Sequence, residues 1–519
     1  MKRNVLILSL ALASLLFSAG VAPAAPREDI NISLNQVIET LNPFSSRTII
    51  CWQLFTNTYE TLFFVNDKGE LEPRLGVSWE AAEDNRTYTV KLREGVKFHN
   101  GAELTAEDVA WSLEYALKTG PYTQRRASIP GFESARAVDK YTVEIKSATV
   151  NAPFFSNINL WGYIVCKEEA LAAEKAGTFG VEWVPCGTGP YVITSYKPDA
   201  EIKLEAFPDY YRGEARIKKI NCQILMDNNT IRVAFEAGDL DFIVVPTASY
   251  AELKESGACN TYLSPTNHTS FFQVNSHNKD ALADKRVRQA ISYAMNREAM
   301  CIAAYDGIAQ PAYSLFNPDS VPGGMTVAEL EAAGIPSYQY NPEKAKALLA
   351  EAGYPNGVDI GVINTINGSY WEKMSTVLQS NLADIGVTAK VELADSAACR
   401  AKRFARDFNL STTGTNFAPD VTFCLLYYRR ITPEMFAAGD VTDLTLDTSE
   451  FEDLINAANA ELDPAKRKAL YVELIRLLQD GMYTIPTFHK TIPYAYHKDL
   501  VCEEINTNYY YVYNFYWAK

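Results

Sequence analysis

Repeatedly in the second half of this 519-residue chain, a capped helix signature runs through a glycine into a strand-forming stretch. In "NPEKAKALLAEAGY", Asn341 stands as N-cap, Pro342 at the first helical position and Gly353 just past the end. "WEKMSTVLQSNLADIG" (Trp371 to Gly386) leads into the strand "VTAKVEL". Asp463-Pro464 opens a helix that stops at Gly481, and "MYTIPTF" (Met482 to Phe488) follows as a strand. Helices joined to strands by short loops must cover the faces of a sheet, which predicts α/β or mixed lobes. The length exceeds what one core fills and suits two or three domains. No low-complexity linker separates them, so the domains pack closely.

The first half holds a stretch of another kind, "KLREGVKFHNGAELTAEDVAWSLEYAL" (Lys91 to Leu117). It reads as strand, Asn100-Gly101 turn, then a helix capped by Thr105 with Asp108 in a capping-box position. Val109, Leu113, Ala116 and Leu117 share one face. Each feature has a structural task, and His99 reads as a hydrogen-bonded turn residue. "DKRVRQAISYAMNRE" (Asp284 to Glu298) reads as one further helix, with Val287, Ala290, Ile291, Ala294 and Met295 as its apolar stripe and the basic residues off it.

At the N-terminus, Lys2 and Arg3 precede the apolar run Val5 to Ala22, and Ala22-Pro23-Ala24 supplies small residues for cleavage. The expectation is a secretory signal peptide over 1–24, with an uncleaved anchor as the alternative. Val21 falls where a lipoprotein would carry its cysteine, so no lipid anchor is expected. The formal net charge of −15 disfavours nucleic acid and anionic membrane as partners. Nine cysteines, none in a CxxC pair, leave at least one unpaired in a monomer and give no redox or zinc motif.

Catalytic signatures are missing. There is no GxSxG elbow, HExxH helix or GxxxxGK[ST] loop. "CGTGPY" (Cys186 to Tyr191) lacks the third glycine of a dinucleotide fingerprint and reads as a tight turn. No two of the histidines (His99, His268, His277, His489, His497) stand at helical metal-ligand spacing, so neither a metal nor a cofactor is expected.

Taken in order, several stretches resemble one family: "LNPF" (Leu41 to Phe44), "EPRLGVSWE", the Lys91 to Leu117 stretch, "GTGPYVITSYKP", "PDYYRGEARIKKI", "AFEAGDLDFIVV", "DKRVRQAISYAMNRE" and "NPEKAKALLAEAGY". These resemble the extracytoplasmic solute-binding proteins of peptide- and nickel-type ABC importers (family 5), the group of the dipeptide- and oligopeptide-binding proteins. The resemblance implies an α/β, two-lobe periplasmic binding protein of the Venus-flytrap type. Lobe I would span 25–264, with an extra subdomain at about 60–185. Lobe II would span 265–489, and 490–519 would return to lobe I. The implied function is capture of a small solute, a peptide or a peptide-like organic molecule, and its delivery to the membrane permease of an ABC transporter. The implied protein is periplasmic, soluble, monomeric and not an enzyme. An exported hydrolase and a sensory binding protein for a receptor are the alternatives.

The same resemblance points to ligand-binding residues. Peptide-binding members hold the ligand ammonium with an aspartate; in "TTGTNFAPDVTF" (Thr412 to Phe423), Asn416 falls at that position and Thr413 where a tryptophan stands. Phe417 adjoins it, and Asp420 lies nearby but out of register. Arg47 and Thr48 follow the "LNPF" motif, Arg47 where an oligopeptide binder is acidic. Tyr370 and Trp371 match another pocket position, and Tyr122 is a further candidate. With Asn416 and Arg47 in these places, the expected ligand is anionic or neutral, or a peptide whose amino end is held differently, by Asp420 for example.

Overall fold

The computed structural model describes residues 27–45, 48–66, 70–119, 131–159, 162–179, 183–277, 280–417, 420–422, 428–429, 446–447, 451–503, 505 and 511–518. The leader therefore lies outside the described residues. No helix among those described is long and apolar enough to cross a membrane.

A mixed 11-stranded sheet organises the chain. Its spatial order is Val387–Ala394, Val358–Ile366, Leu410–Asn416, Asn260–Val274, Thr484–Tyr496, Phe242–Val244, Asp29–Leu34, Lys219–Ile224, Glu201–Ala206 and Tyr191–Lys197, with Gln310–Pro311 beside Thr484–Tyr496. Two strands at its middle are unusually long, Asn260–Val274 with 15 residues and Thr484–Tyr496 with 13. They run antiparallel, side by side. One end of the pair feeds the largest apolar core, which collects Ile30, Phe44, Tyr191, Phe242, Tyr494 and Phe515. The other end feeds a second core, with Phe272, Val274, Ile291, Met374, Ile485 and Phe488. The pair is thus shared by two separately packed bodies, the mixed α/β architecture that the alternating pattern predicts.

The pairing is not continuous. Pro265 pairs with Thr491, and the next partners are Thr269 and His489. Thr266, Asn267 and His268 therefore stand opposite Lys490 alone. Extra residues on one strand of a ladder bend it and re-aim its side chains. The Thr266 hydroxyl donates to the Lys490 carbonyl at 2.7 Å and pins the bulge.

The Lys91 to Leu117 stretch is scaffold. Thr87–Leu92 belongs to a four-stranded sheet, and Ala106–Glu114 is the helix. The Asp108 carboxylate accepts from the Thr105 amide at 2.9 Å and hydroxyl at 2.7 Å, the reciprocal half of the capping box. Gly101 takes φ +86°, where a side chain would be strained. His99 Nε2 donates to the Gly189 carbonyl at 2.9 Å, and burial holds its pKa down at about 4. A neutral imidazole with its proton committed to a carbonyl is a structural link.

Two local expectations are corrected. Asp284 to Glu298 is two helices, Lys285–Ala294 and Arg297–Tyr305, because the Asn296 side chain accepts from the Ala299 amide and caps a new helix. Its basic residues are not all turned to solvent: Arg288 and Arg297 are buried, at 3% and 1% exposure. The helix Pro464–Gly481 does end at Gly481, and the left-handed residue after it is Met482, φ +45°. All eight described cysteines carry free thiols, most of them buried.

Candidate functional site

Several buried polar groups without a partner of normal geometry lie in or beside the bulge. His268, in the bulge, stands directly opposite Asn416 on the neighbouring strand. Neither His268 Nε2 nor Asn416 Oδ1 meets a hydrogen-bond partner of normal geometry among the described residues, and the Ser270 hydroxyl is in the same position. Burial and the adjacent Lys490 charge hold the His268 pKa well below its usual value, against the opposing pull of Asn416.

Helix Tyr370–Ala383 brings two aromatic rings to this point. Tyr370 and Trp371 lie with centroids 4.3 Å apart, tilted by 33°. The Lys490 ammonium sits 4.3 Å from the Tyr370 ring centroid and 5.8 Å from that of Trp371, within cation–π range. Gly414 allows the parts to meet. A Cβ there would lie 2.6 Å from His268 Nε2 and 2.9 Å from Trp371 Cη2.

His268, Tyr370, Trp371, Asn416 and Lys490 are all half-buried. Lys490 combines solvent contact with a lowered pKa. Part of the residue touches solvent, yet desolvation draws its pKa from 10.5 to about 8. Both hold for an ammonium ringed by protein on a residue that still meets solvent. Behind it, His489 is fixed. The Thr269 hydroxyl donates to the Leu315 carbonyl at 2.8 Å, so its contact with His489 Nδ1 at 2.9 Å must be donated by the imidazole. Burial keeps that ring neutral, with a pKa of about 3.

The structure thus brings Tyr370, Trp371 and Asn416 together. It places Phe417 elsewhere: the residue is 1% exposed, in a third core, with its ring 5.1 Å from Phe316. Asp420 is buried beside that core. One oxygen accepts from the Thr422 amide and hydroxyl, at 2.9 and 2.6 Å, and the other from the Tyr471 hydroxyl at 3.0 Å. Burial outweighs these bonds and raises its pKa. Thr48 precedes helix Ile49–Phe55, and its buried hydroxyl has no partner among the described residues. Arg47 and Tyr122 lie outside the described residues. Sequence reasoning missed Lys490 and His268. For Lys490 a signal existed, since from Met482 to Tyr496 it is the one side chain bearing a full charge.

Comparison with known proteins settles the class. The family model of bacterial extracellular solute-binding proteins, family 5, matches residues 70–430. The chain belongs to this family. It is 26% identical over 488 residues to the glutathione-binding protein GsiB of Escherichia coli strain K12, covering 91% of each chain. The structure of HbpA2 from Haemophilus parasuis superposes with a TM-score of 0.82 at 26% identity, covering 94% of this chain and 99% of that one. The ABC transporter substrate-binding protein CtaP of Listeria monocytogenes gives 0.80 at 23% identity, covering 95% and 100%. The fold is the two-lobe one of periplasmic binding proteins, and family members carry solutes to ABC importers.

Proposed function

We propose that this family member encloses a small peptide-like solute, with glutathione as the first candidate, between lobes formed by 25–264 with 490–519 and by 265–489, the first lobe carrying an extra subdomain at about 60–185. The observation that carries this reading is the half-buried wall of Tyr370, Trp371, His268 and Asn416 at the bulge of the two long strands. A wall of aromatic faces with a few unpartnered polar atoms fits a small polar ligand. Glutathione is the candidate because the E. coli relative is named for it. At Asn416 an amide oxygen cannot neutralise an ammonium, and Asp420 spends both oxygens on its own neighbours. The amino end of the solute is therefore held by some other group. Arg47, Thr48 and Tyr122 would contribute from the facing side.

Closure is the motion this reading calls for. Two strands join the bodies, and a ligand touching both stabilises the closed state. The reading needs no covalent step, so the solute is recovered intact. The leader would be removed before Ala25, leaving a protein outside the cytoplasmic membrane without a lipid anchor; N-terminal sequencing of the exported protein checks this.

A thermal-shift screen of glutathione and short peptides is the test, since a ligand that binds only the folded state raises apparent stability. A concentration-dependent rise in Tm with a member of this panel is expected. No rise with any member overturns the reading, and recovery of a cleaved solute favours a hydrolase.

A further inference from the structure

We infer that Lys490 is the counter-charge for a carboxylate of the bound solute, so that the ligand class is anionic and its acid group lies at the bulge, against Tyr370 and Trp371. This deepens the proposed function and rests on the solute being enclosed there.

The surroundings of the ammonium carry the inference. No carboxylate pairs with Lys490 among the described residues, although the chain holds 63 acidic residues. Its neighbours are two aromatic faces, which attract a cation but accept no ordinary hydrogen bond from it. The other groups described at this point are neutral: the His268 imidazole, the Asn416 amide and the Ser270 hydroxyl, each with a polar atom that meets no partner of normal geometry among the described residues. An amide and an imidazole can each turn an N–H toward an anion, and amide orientation follows the hydrogen-bond network. One cation with neutral donors beside it is a carboxylate site lacking only the carboxylate. A cation removed from water without a partner is costly, and a ligand that supplies the partner recovers that cost as affinity.

The arrangement also sets a pH window. Among the described residues, the titratable groups around Lys490 are His268, His489, Tyr370 and Tyr305. Both histidines are neutral at pH 7, and burial moves Tyr370 well above its ordinary value and Tyr305 up to about 12. Near pH 8 only Lys490 changes charge. A bound carboxylate raises its pKa, so binding takes up a proton as pH rises above about 8 and weakens over that rise.

Calorimetry with glutathione and its dimethyl ester tests the inference, on the wild type, Lys490→Met and Lys490→Arg. The wild type should bind the free acid at least about 30-fold more tightly than the ester, and Lys490→Met should lose that preference, as expected for removing one partner of an enclosed charge pair. Lys490→Arg should keep most of it. Equal binding of acid and ester by the wild type, or undiminished binding by Lys490→Met, overturns the inference and leaves solute capture standing. If neither glutathione nor its ester binds, glutathione is the wrong solute, and the anion site is read directly. Glutarate titrated into protein with isotope-labelled lysine should then shift one lysine resonance that is absent in Lys490→Met; no such shift overturns the inference.

Discussion

Arg297 and Lys490 are two cations drawn out of water in the same chain, and they live differently. Arg297 is 1% exposed, and its guanidinium donates to the Pro486, Ser292 and Tyr338 carbonyls and the Ser292 hydroxyl, at 2.9–3.2 Å. Lys490 has ring faces and no carboxylate among the described residues. Desolvation lowers both pKa values, Arg297 to about 10 and Lys490 to about 8. The difference lies in what each donor meets. Arg297 spends its fork on backbone carbonyls and ties the strand Thr484–Tyr496 to its helix, which makes it scaffold. Among the described residues Lys490 meets ring faces and no acceptor, in a residue that still touches solvent, which is the condition of a group awaiting a ligand.

Arg297→Met should break the comparison from the satisfied side. It strands three carbonyls and should cost about 3–5 kcal/mol, read by urea unfolding. A loss below about 1 kcal/mol would mean that the carbonyls find water and that Arg297 is no better placed than Lys490.

Lys490→Met should act with the opposite sign. The folded pKa of about 8 lies below the ordinary lysine value, so the charged form is penalised in the fold. The penalty is fully present below pH 8 and fades as pH rises toward 10.5. The ligand-free variant should therefore be more stable than wild type by about 2 kcal/mol at pH 7, with the gap closing by pH 10. A destabilised variant at pH 7 would show that the ammonium has a partner after all.

Gly414→Ala sharpens the geometry. Its added Cβ would crowd His268, Trp371 and the Thr269 carbonyl together. A loss of about 1–2 kcal/mol, together with weaker solute binding, is expected from overpacking at this point. Full stability with full binding would place Trp371 away from the solute.

The smallest effect belongs to the scaffold of the first lobe. Thr105→Ala removes a capping partner of Asp108 and should cost about 1 kcal/mol by thermal unfolding, with solute affinity unchanged. A change in affinity would connect that distant helix to closure.

Local chemistry made much of the fold legible. Asn341-Pro342, Asp463-Pro464 and Thr105 mark helix starts because capping is settled within a few residues. The break at Asn296 was legible too, but the continuing apolar stripe masks a cap inside it. Arg288 and Arg297 fall off the apolar stripe, where amphipathic patterning assigns charge to water, and nothing local tells which carbonyls will be within reach. At the site, the resemblance led to Tyr370, Trp371 and Asn416, which meet. It led equally to Phe417 and Asp420, which pack into or beside a core. Lys490 escaped because the face a strand residue shows depends on register with a partner more than two hundred positions away, and here the register shifts.

That shift separates two halves of one strand that would otherwise share a single alternation of faces. Elsewhere in a strand, one inserted residue turns every later side chain over. Between Pro265 and Thr269 the ladder already tolerates unmatched residues, so a length change there would be absorbed locally. The core residues Phe272 and Val274 would keep their orientation while the groups around Lys490 were re-aimed. The bulge is thus where solute preference could drift between relatives at little cost to either body of the protein.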